Sequence, residues 1–220
     1  MEIHLKPYEK APEYLTETIL KKLNKGQKVL WFVTGGSSIK IASKVSKKLA
    51  GSPMENLTVM LTDERYGPVG HPNSNWQGLM LEGFELLKAK LIPILSGKNM
   101  EETAKDFALK MQEEFPKAEY KIGLFGVGAD GHTAGILPES KAFSNETLLA
   151  TCYHTQEFDR ITMTPDAIDK LDEAVVCMHG KEKWPVVKDL LHENKGFRIQ
   201  PAQLLKRLKK LTIFSDYQYE

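Results

Sequence analysis

Cysteine is scarce in this chain, with only Cys152 and Cys177 in 220 residues. Two cysteines this far apart make neither a disulfide framework nor a cysteine-based metal site. Each lies in a mainly apolar run, LLATCY and AVVCMHG, so both are expected to be ordinary buried thiols. A surplus of one charge is also missing. Lys plus Arg is 30 and Asp plus Glu is 29, a formal net charge of +1. No global field therefore draws the chain to nucleic acid or an anionic membrane, and any anion site must be local. No apolar run approaches the roughly 18 residues that span a bilayer. The opening MEIHLKPYEK is charged and has no apolar core, so it is not expected to be a signal peptide, and the cytoplasm is the expected compartment.

What is present suits a globular α/β domain. Hydrophobic residues make up 41% and charged residues 27%, a balance that supports one core over residues 1–220. Leu15, Ile19 and Leu23 recur at helical spacing from Pro12 and stop near Gly26. Ile39, Ala42, Val45 and Leu49 do the same. Asn99 with Glu102 reads as a helix-capping pair ahead of an apolar face from Met100 to Phe115. Short apolar runs at 29–33 (VLWFV), 57–62 (LTVMLT), 120–125, 147–153 and 173–179 read as strands. A helix is expected over 181–191 and a short one from Pro201. Strands alternating with helical stripes predict a mostly parallel sheet flanked by helices. The three tryptophans, Trp31, Trp76 and Trp184, are expected in the core, with lining of a pocket beside Asn75 the alternative for Trp76.

In such sheets ligands bind beyond the carboxyl ends of the strands. Three distinctive segments fall there: TGGSS after Val33, DERYGPVGHPNSN after Thr62, and GVGADGHT after Phe125. In the first, Gly35 and Gly36 let backbone N–H groups approach an anion and Ser37 adds a hydroxyl, although a plain turn with a serine cap has the same composition. In the second, Asp63 and Arg65 either close the strand as an ion pair or face a polar ligand, with Ser74 and Asn75 as neutral hydrogen-bonding groups. In the third, Asp130 and His132 stand two residues apart, so their side chains can face the same way. Either the carboxylate orients an imidazole that exchanges protons near neutral pH, or Asp130-Gly131 is a turn and His132 caps a following helix. Neither glycine loop is a G-x-G-x-x-G or a Walker sequence, and no histidine spacing matches a metal motif. Arg160 and Lys183, near strand ends, are suitable phosphate ligands, the first as a fork and the second as a point charge.

Taken in order, TGGSS, LTDERYGPVGHPNSN, LFGVGADGHTAGILP, FDRITMTPDAI and VVCMHGKEK resemble the 6-phosphogluconolactonases of the glucosamine-6-phosphate isomerase/deaminase superfamily. The resemblance covers roughly residues 29–190, and GVGADGHTAGILP is its most specific part. It implies a modified Rossmann-like domain without a nucleotide, no cofactor, and a small sugar-phosphate substrate. It implies a phosphate pocket at Gly35, Gly36, Ser37, Arg160 and Lys183, and His132 as the catalytic base near Asp63, Arg65 and Asp130. No nucleic acid or membrane partner is expected, and the chain is expected to be a monomer or a homodimer. The sequence departs from the family pattern at Ser38-Ile39-Lys40, at Gly67-Pro68 and at Gly135-Ile136-Leu137, which reshapes the sugar pocket. Deaminases that share the Asp-Gly-His loop carry a Glu seven residues past the Asp. Leu137 stands there instead, which favours lactone hydrolysis over glucosamine 6-phosphate deamination. A non-catalytic sugar-phosphate sensor is the remaining alternative, although there is no spare segment for a DNA-binding helix pair.

Overall fold

The computed structural model describes residues 2–143 and 148–218. Its strands are β1 (Glu2–Pro7), β2 (Val29–Val33), β3 (Leu57–Leu61), β4 (Asp63–Arg65), β5 (Lys90–Ile92), β6 (Tyr120–Gly126), β7 (Ala150–Tyr153), β8 (Arg160–Met163), β9 (Glu173–Met178) and β10 (Lys210–Ser215). Its α-helices are α1 (Ala11–Leu23), α2 (Ile39–Leu49), α3 (Asn75–Leu81), α4 (Met100–Glu114), α5 (Pro165–Ile168) and α6 (Trp184–His192). Seven strands form one sheet in the order β1-β10-β9-β6-β2-β3-β5, with every pairing parallel. Its central strands are buried on both faces, which is why VLWFV shows no alternation. A smaller antiparallel sheet, β4-β8-β7, packs against α4.

The two sheets meet at Thr62. Its N–H donates to Val33 O (2.8 Å) and its carbonyl accepts from Met163 N–H (3.0 Å), so LTVMLT-DER is two strands in two sheets and not one. Helix starts follow their caps. Asn99 Oδ1 accepts from Glu102 N–H at 2.9 Å, as expected, and Ser74 Oγ accepts from Gln77 N–H at 3.1 Å to open α3. The expected strand at 147–153 starts at Ala150, and its first residue, Thr147, lies outside the described residues. Cys177 is buried, and burial pushes its thiol well above the ordinary value. Cys152 is only half-buried, because β7 is an edge strand; that corrects the expectation for it. Trp31 is fully buried, whereas Trp76 and Trp184 are half-buried. No helix among the described residues is long and apolar enough to cross a membrane.

The sheet order sets where a ligand can enter. From β2 the chain passes through α2 to β3 on one side, and from β6 it proceeds to β9 on the other. Adjacent strands whose connections diverge leave a crevice at their carboxyl ends. Below the sheet, at the opposite end, buried Glu114 binds Lys90 (2.8 Å) and Lys117 (2.7 Å). Burial opposes its charge, but the two lysines outweigh this and hold the carboxyl below its ordinary value. A depressed carboxyl contributes stability above its unfolded pKa and loses it as pH falls through the folded one. Glu114→Gln should therefore lower Tm by a few degrees near pH 7, roughly 1 kcal/mol, and by progressively less as the pH falls into the acid range, as a thermal melt series would show.

Candidate active site

The crevice between β2 and β6 opens into a cavity of about 290 Å³. Three loops line it, the ones that carry the distinctive sequence segments. Gly35, Gly36 and Ser37 come from the end of β2, Asp63, Arg65 and Asn75 from β4 and α3, and Gly126, Gly128, His132, Ala134 and Gly135 from the end of β6. Arg160 enters from β8 and Lys183 from the turn after β9.

His132 Nδ1 lies 2.6 Å from Asp130 Oδ1, and the same oxygen accepts from the His132 backbone N–H at 3.1 Å. The carboxylate thus fixes both the ring and the chain behind it. No helix follows His132, which removes the helix-cap reading. Instead Thr133 and Ile136 bridge across a tight turn, with Ala134 (φ 50°) and Gly135 (φ 70°) both left-handed. An alanine in that region costs about 1–2 kcal/mol, so something else must hold it there. The small sheet does. Thr162 Oγ1 donates to Ala134 O, and Tyr153 OH donates to Gly135 O at 2.5 Å. Gly135 abuts Asp63; a Cβ there would stand 2.8 Å from the Asp63 Cβ.

Gly128 is required by the dyad itself. A Cβ at this position would fall inside the van der Waals envelope of the His132 ring and of Asp130 Oδ1. Gly128→Ala should displace the imidazole and lower turnover about 100-fold while changing Tm little, since a 1 Å misplacement of a reacting group is enough for that loss. Steady-state rates compared with a melting curve would check both halves.

Asp63 is buried and held by Thr62 Oγ1 (2.8 Å) and by Asn75 Nδ2, which reaches both its carbonyl (3.0 Å) and its carboxylate (3.4 Å). Asp130, not Asp63, is the partner of His132. Glu64 points the other way. Its carboxylate accepts from the N–H groups of Arg65, Asn75 and Trp76 and from Ser74 Oγ. Ser74, expected among the binding residues, is thus a correction. Its hydroxyl serves Glu64 and the start of α3, and it does not line the cavity. Asp63-Glu64-Arg65 is also not the ion pair considered above.

Arg65 and Arg160 stand directly opposite each other in the β4–β8 pair. Like charges so placed are destabilising. Neither has a carboxylate partner among the described residues, and the Nε of each is buried without a hydrogen bond. The face of Phe158 supports both, with guanidinium carbons 4.8 and 5.9 Å from its centroid. With Lys183 they give the cavity three cationic side chains, against the two carboxylates of Asp63 and Glu157 among the described lining residues. Glu157 and Phe158 were not singled out from the sequence. Phe158 immediately precedes the FDRITM stretch's charged pair, so its position was the available signal.

Comparison with known proteins identifies the family and the fold. Residues 6–214 match the family model for glucosamine-6-phosphate isomerases/6-phosphogluconolactonase. The chain is 29% identical over 205 residues to a 6-phosphogluconolactonase of Helicobacter pylori, covering 89% of this chain and 85% of that one. The crystal structure of a 6-phosphogluconolactonase from Shewanella baltica superposes with a TM-score of 0.80 at 20% identity, over 97% of this chain and 96% of that one. A monomeric glucosamine-6-phosphate deaminase superposes almost as well, with a TM-score of 0.78 at 16% identity over 98% and 97%, so the fold alone does not separate the two activities. The match runs through every loop that builds the cavity, and the chain belongs to the glucosamine-6-phosphate isomerase/6-phosphogluconolactonase family.

Proposed function

We propose that the chain is a 6-phosphogluconolactonase, hydrolysing the lactone ester of a phosphorylated six-carbon sugar acid. The observation that carries this reading is His132, paired with Asp130, in the same cavity as Arg65, Arg160 and Lys183, which have no ion-pair partner among the described residues. The phosphate sits against Arg160 and Lys183, with backbone N–H groups of Gly35 and Gly36 and the Ser37 hydroxyl beside it. That placement brings the lactone carbonyl to His132 and offsets part of the barrier through orientation.

In this mechanism the Nδ1 proton is donated to Asp130, which leaves the lone pair on Nε2. Nε2 takes a proton from water as its oxygen attacks the carbonyl. The negative charge on the carbonyl oxygen is met by Arg65 or by backbone N–H groups of the turn after β6. The carbon–ring oxygen bond then breaks, and the ring oxygen takes the proton back from the imidazolium. Asp63, already ordered by Thr62 and Asn75, accepts hydrogen bonds from sugar hydroxyls. No residue in this scheme requires a cofactor.

The deaminase reading needs a second proton-transfer group where Leu137 stands. Leu137 packs against the core, and its N–H lies 3.4 Å from Tyr153 OH. The test is proton release from freshly made 6-phosphogluconolactone above the spontaneous rate, with a parallel run in EDTA. Fast release indifferent to EDTA supports the reading. Inertness toward the lactone with turnover of glucosamine 6-phosphate would replace it with the deaminase. Inertness toward both would replace it with a sensor.

A further inference from the structure

Lys183 reaches the cavity from a short turn, residues 180–184, between β9 and α6. A lysine is a point charge on a flexible stem, so the place where it meets an anion depends on how firmly its backbone is held. Both ends of this turn converge on one side chain from the far end of the chain. Asp216, the residue after β10, accepts from the Gly180 N–H with both carboxylate oxygens (3.2 and 3.1 Å) and from the indole N–H of Trp184 at 3.1 Å. His179 Nδ1 is 3.3 Å from Asp216 Oδ2, and the Trp184 ring packs edge-on against Tyr217 at 5.8 Å. Burial disfavours charge on Asp216, but the bonds from Trp184 and Gly180 and the neighbouring His179 outweigh it, and the carboxyl lies below its ordinary value. Asp216 itself does not line the cavity.

We propose that Asp216 is a positioning residue for Lys183: by clamping residues 180 and 184 it sets the ammonium group against the anion of the substrate, without touching the substrate. Trp184 is the second half of the clamp, which gives that half-buried indole a role beyond packing. The proposal rests on the reading of the cavity as a sugar-phosphate site.

The test compares Asp216→Asn, Trp184→Phe, Lys183→Ala and the Asp216→Asn/Lys183→Ala double variant. Asp216→Asn keeps the shape but loses the charge and one acceptor. It should raise KM for the phosphorylated lactone about tenfold with kcat within about twofold, and leave hydrolysis of unphosphorylated gluconolactone unchanged. Trp184→Phe, which keeps the ring and loses the donor, should move KM the same way by less. In the Lys183→Ala background, Asp216→Asn should add nothing, because the two act through one contact. A fall in kcat at constant KM, an equal loss on the unphosphorylated lactone, or additive effects in the double variant would each overturn the proposal. Should Asp216→Asn fail to fold, Trp184→Phe decides by the same criteria.

Protection of each variant by inorganic phosphate in a thermal melt is measured alongside. A wild type that is protected by phosphate but inert toward the lactone defeats the reading of the reaction, while weaker protection in Asp216→Asn still supports the clamp. Equal protection in wild type and Asp216→Asn defeats the clamp whatever the reaction is.

Discussion

His132→Ala is expected to lower kcat for the phosphorylated lactone by about two orders of magnitude or more, with KM little changed. The imidazole, oriented by Asp130, takes the proton and returns it, while Arg160, Lys183 and the glycine loop hold the anion, so its loss removes chemistry and leaves anion binding intact. The companion variant Asp130→Asn separates orientation from proton transfer. An amide N–H facing Nδ1 would turn the ring into the tautomer with its proton on Nε2, where the lone pair is needed, and kcat should fall about tenfold or more without a change in KM. Initial rates of proton release at saturating substrate check both. Unchanged kcat in His132→Ala removes the histidine from the mechanism.

Arg160→Met should raise KM by about two orders of magnitude and do so without destabilising the protein. The methionine keeps the buried stem and removes the guanidinium. The affinity loss follows from a charge-assisted, bidentate partner for a dianion, a contact worth about 2–3 kcal/mol. The stability result has the opposite sign because Arg65 and Arg160 face each other across β4 and β8, with a shared aromatic ring and no carboxylate between them. Removing one relieves that repulsion, so Tm should hold or rise. Arg160→Lys should restore only part of the affinity, since a lysine offers no fork. KM from progress curves, paired with melts of the same preparations, tests the trade. A large drop in Tm would mean that the arginine is chiefly structural.

Most of the scaffold was legible because the core strands and helices announce themselves. VLWFV is bounded in the structure where its apolar run is bounded in the sequence, and the Ile39–Leu49 stripe is α2 residue for residue. What escaped was of two kinds. β1 (EIHLKP) and β5 (KLI) are edge strands with few buried residues, so they carry little apolar signal. β8 (RITM) is short, and its charged first residue drew attention to ligand chemistry, hiding the strand beneath. The cavity-lining residues were legible as loops at strand ends, and Asp130 with His132 as a pair, because two-residue spacing is a local matter. Ser74 was misread because its partner, Glu64, lies ten residues earlier on another element. Phe158 and Asp216 were missed because a ring under two arginines and a clamp on a distant turn are relations in space, with no periodicity or motif to mark them.

The sheet order has a consequence for biosynthesis. β10 is not an edge strand: it lies between β1, at the start of the chain, and β9. While the chain is being made, β1 waits without its partner strand and β9 with one side bare until residues 210–215 emerge. Such non-local parallel pairing forms late and leaves unpaired strand edges exposed to other chains. The same late segment brings Asp216, so the turn carrying Lys183 is anchored only as the sheet closes. A nascent or truncated chain could therefore hold the Asp130–His132 pair in place and still lack its firm grip on an anion, which ties competence of the site to completion of the fold.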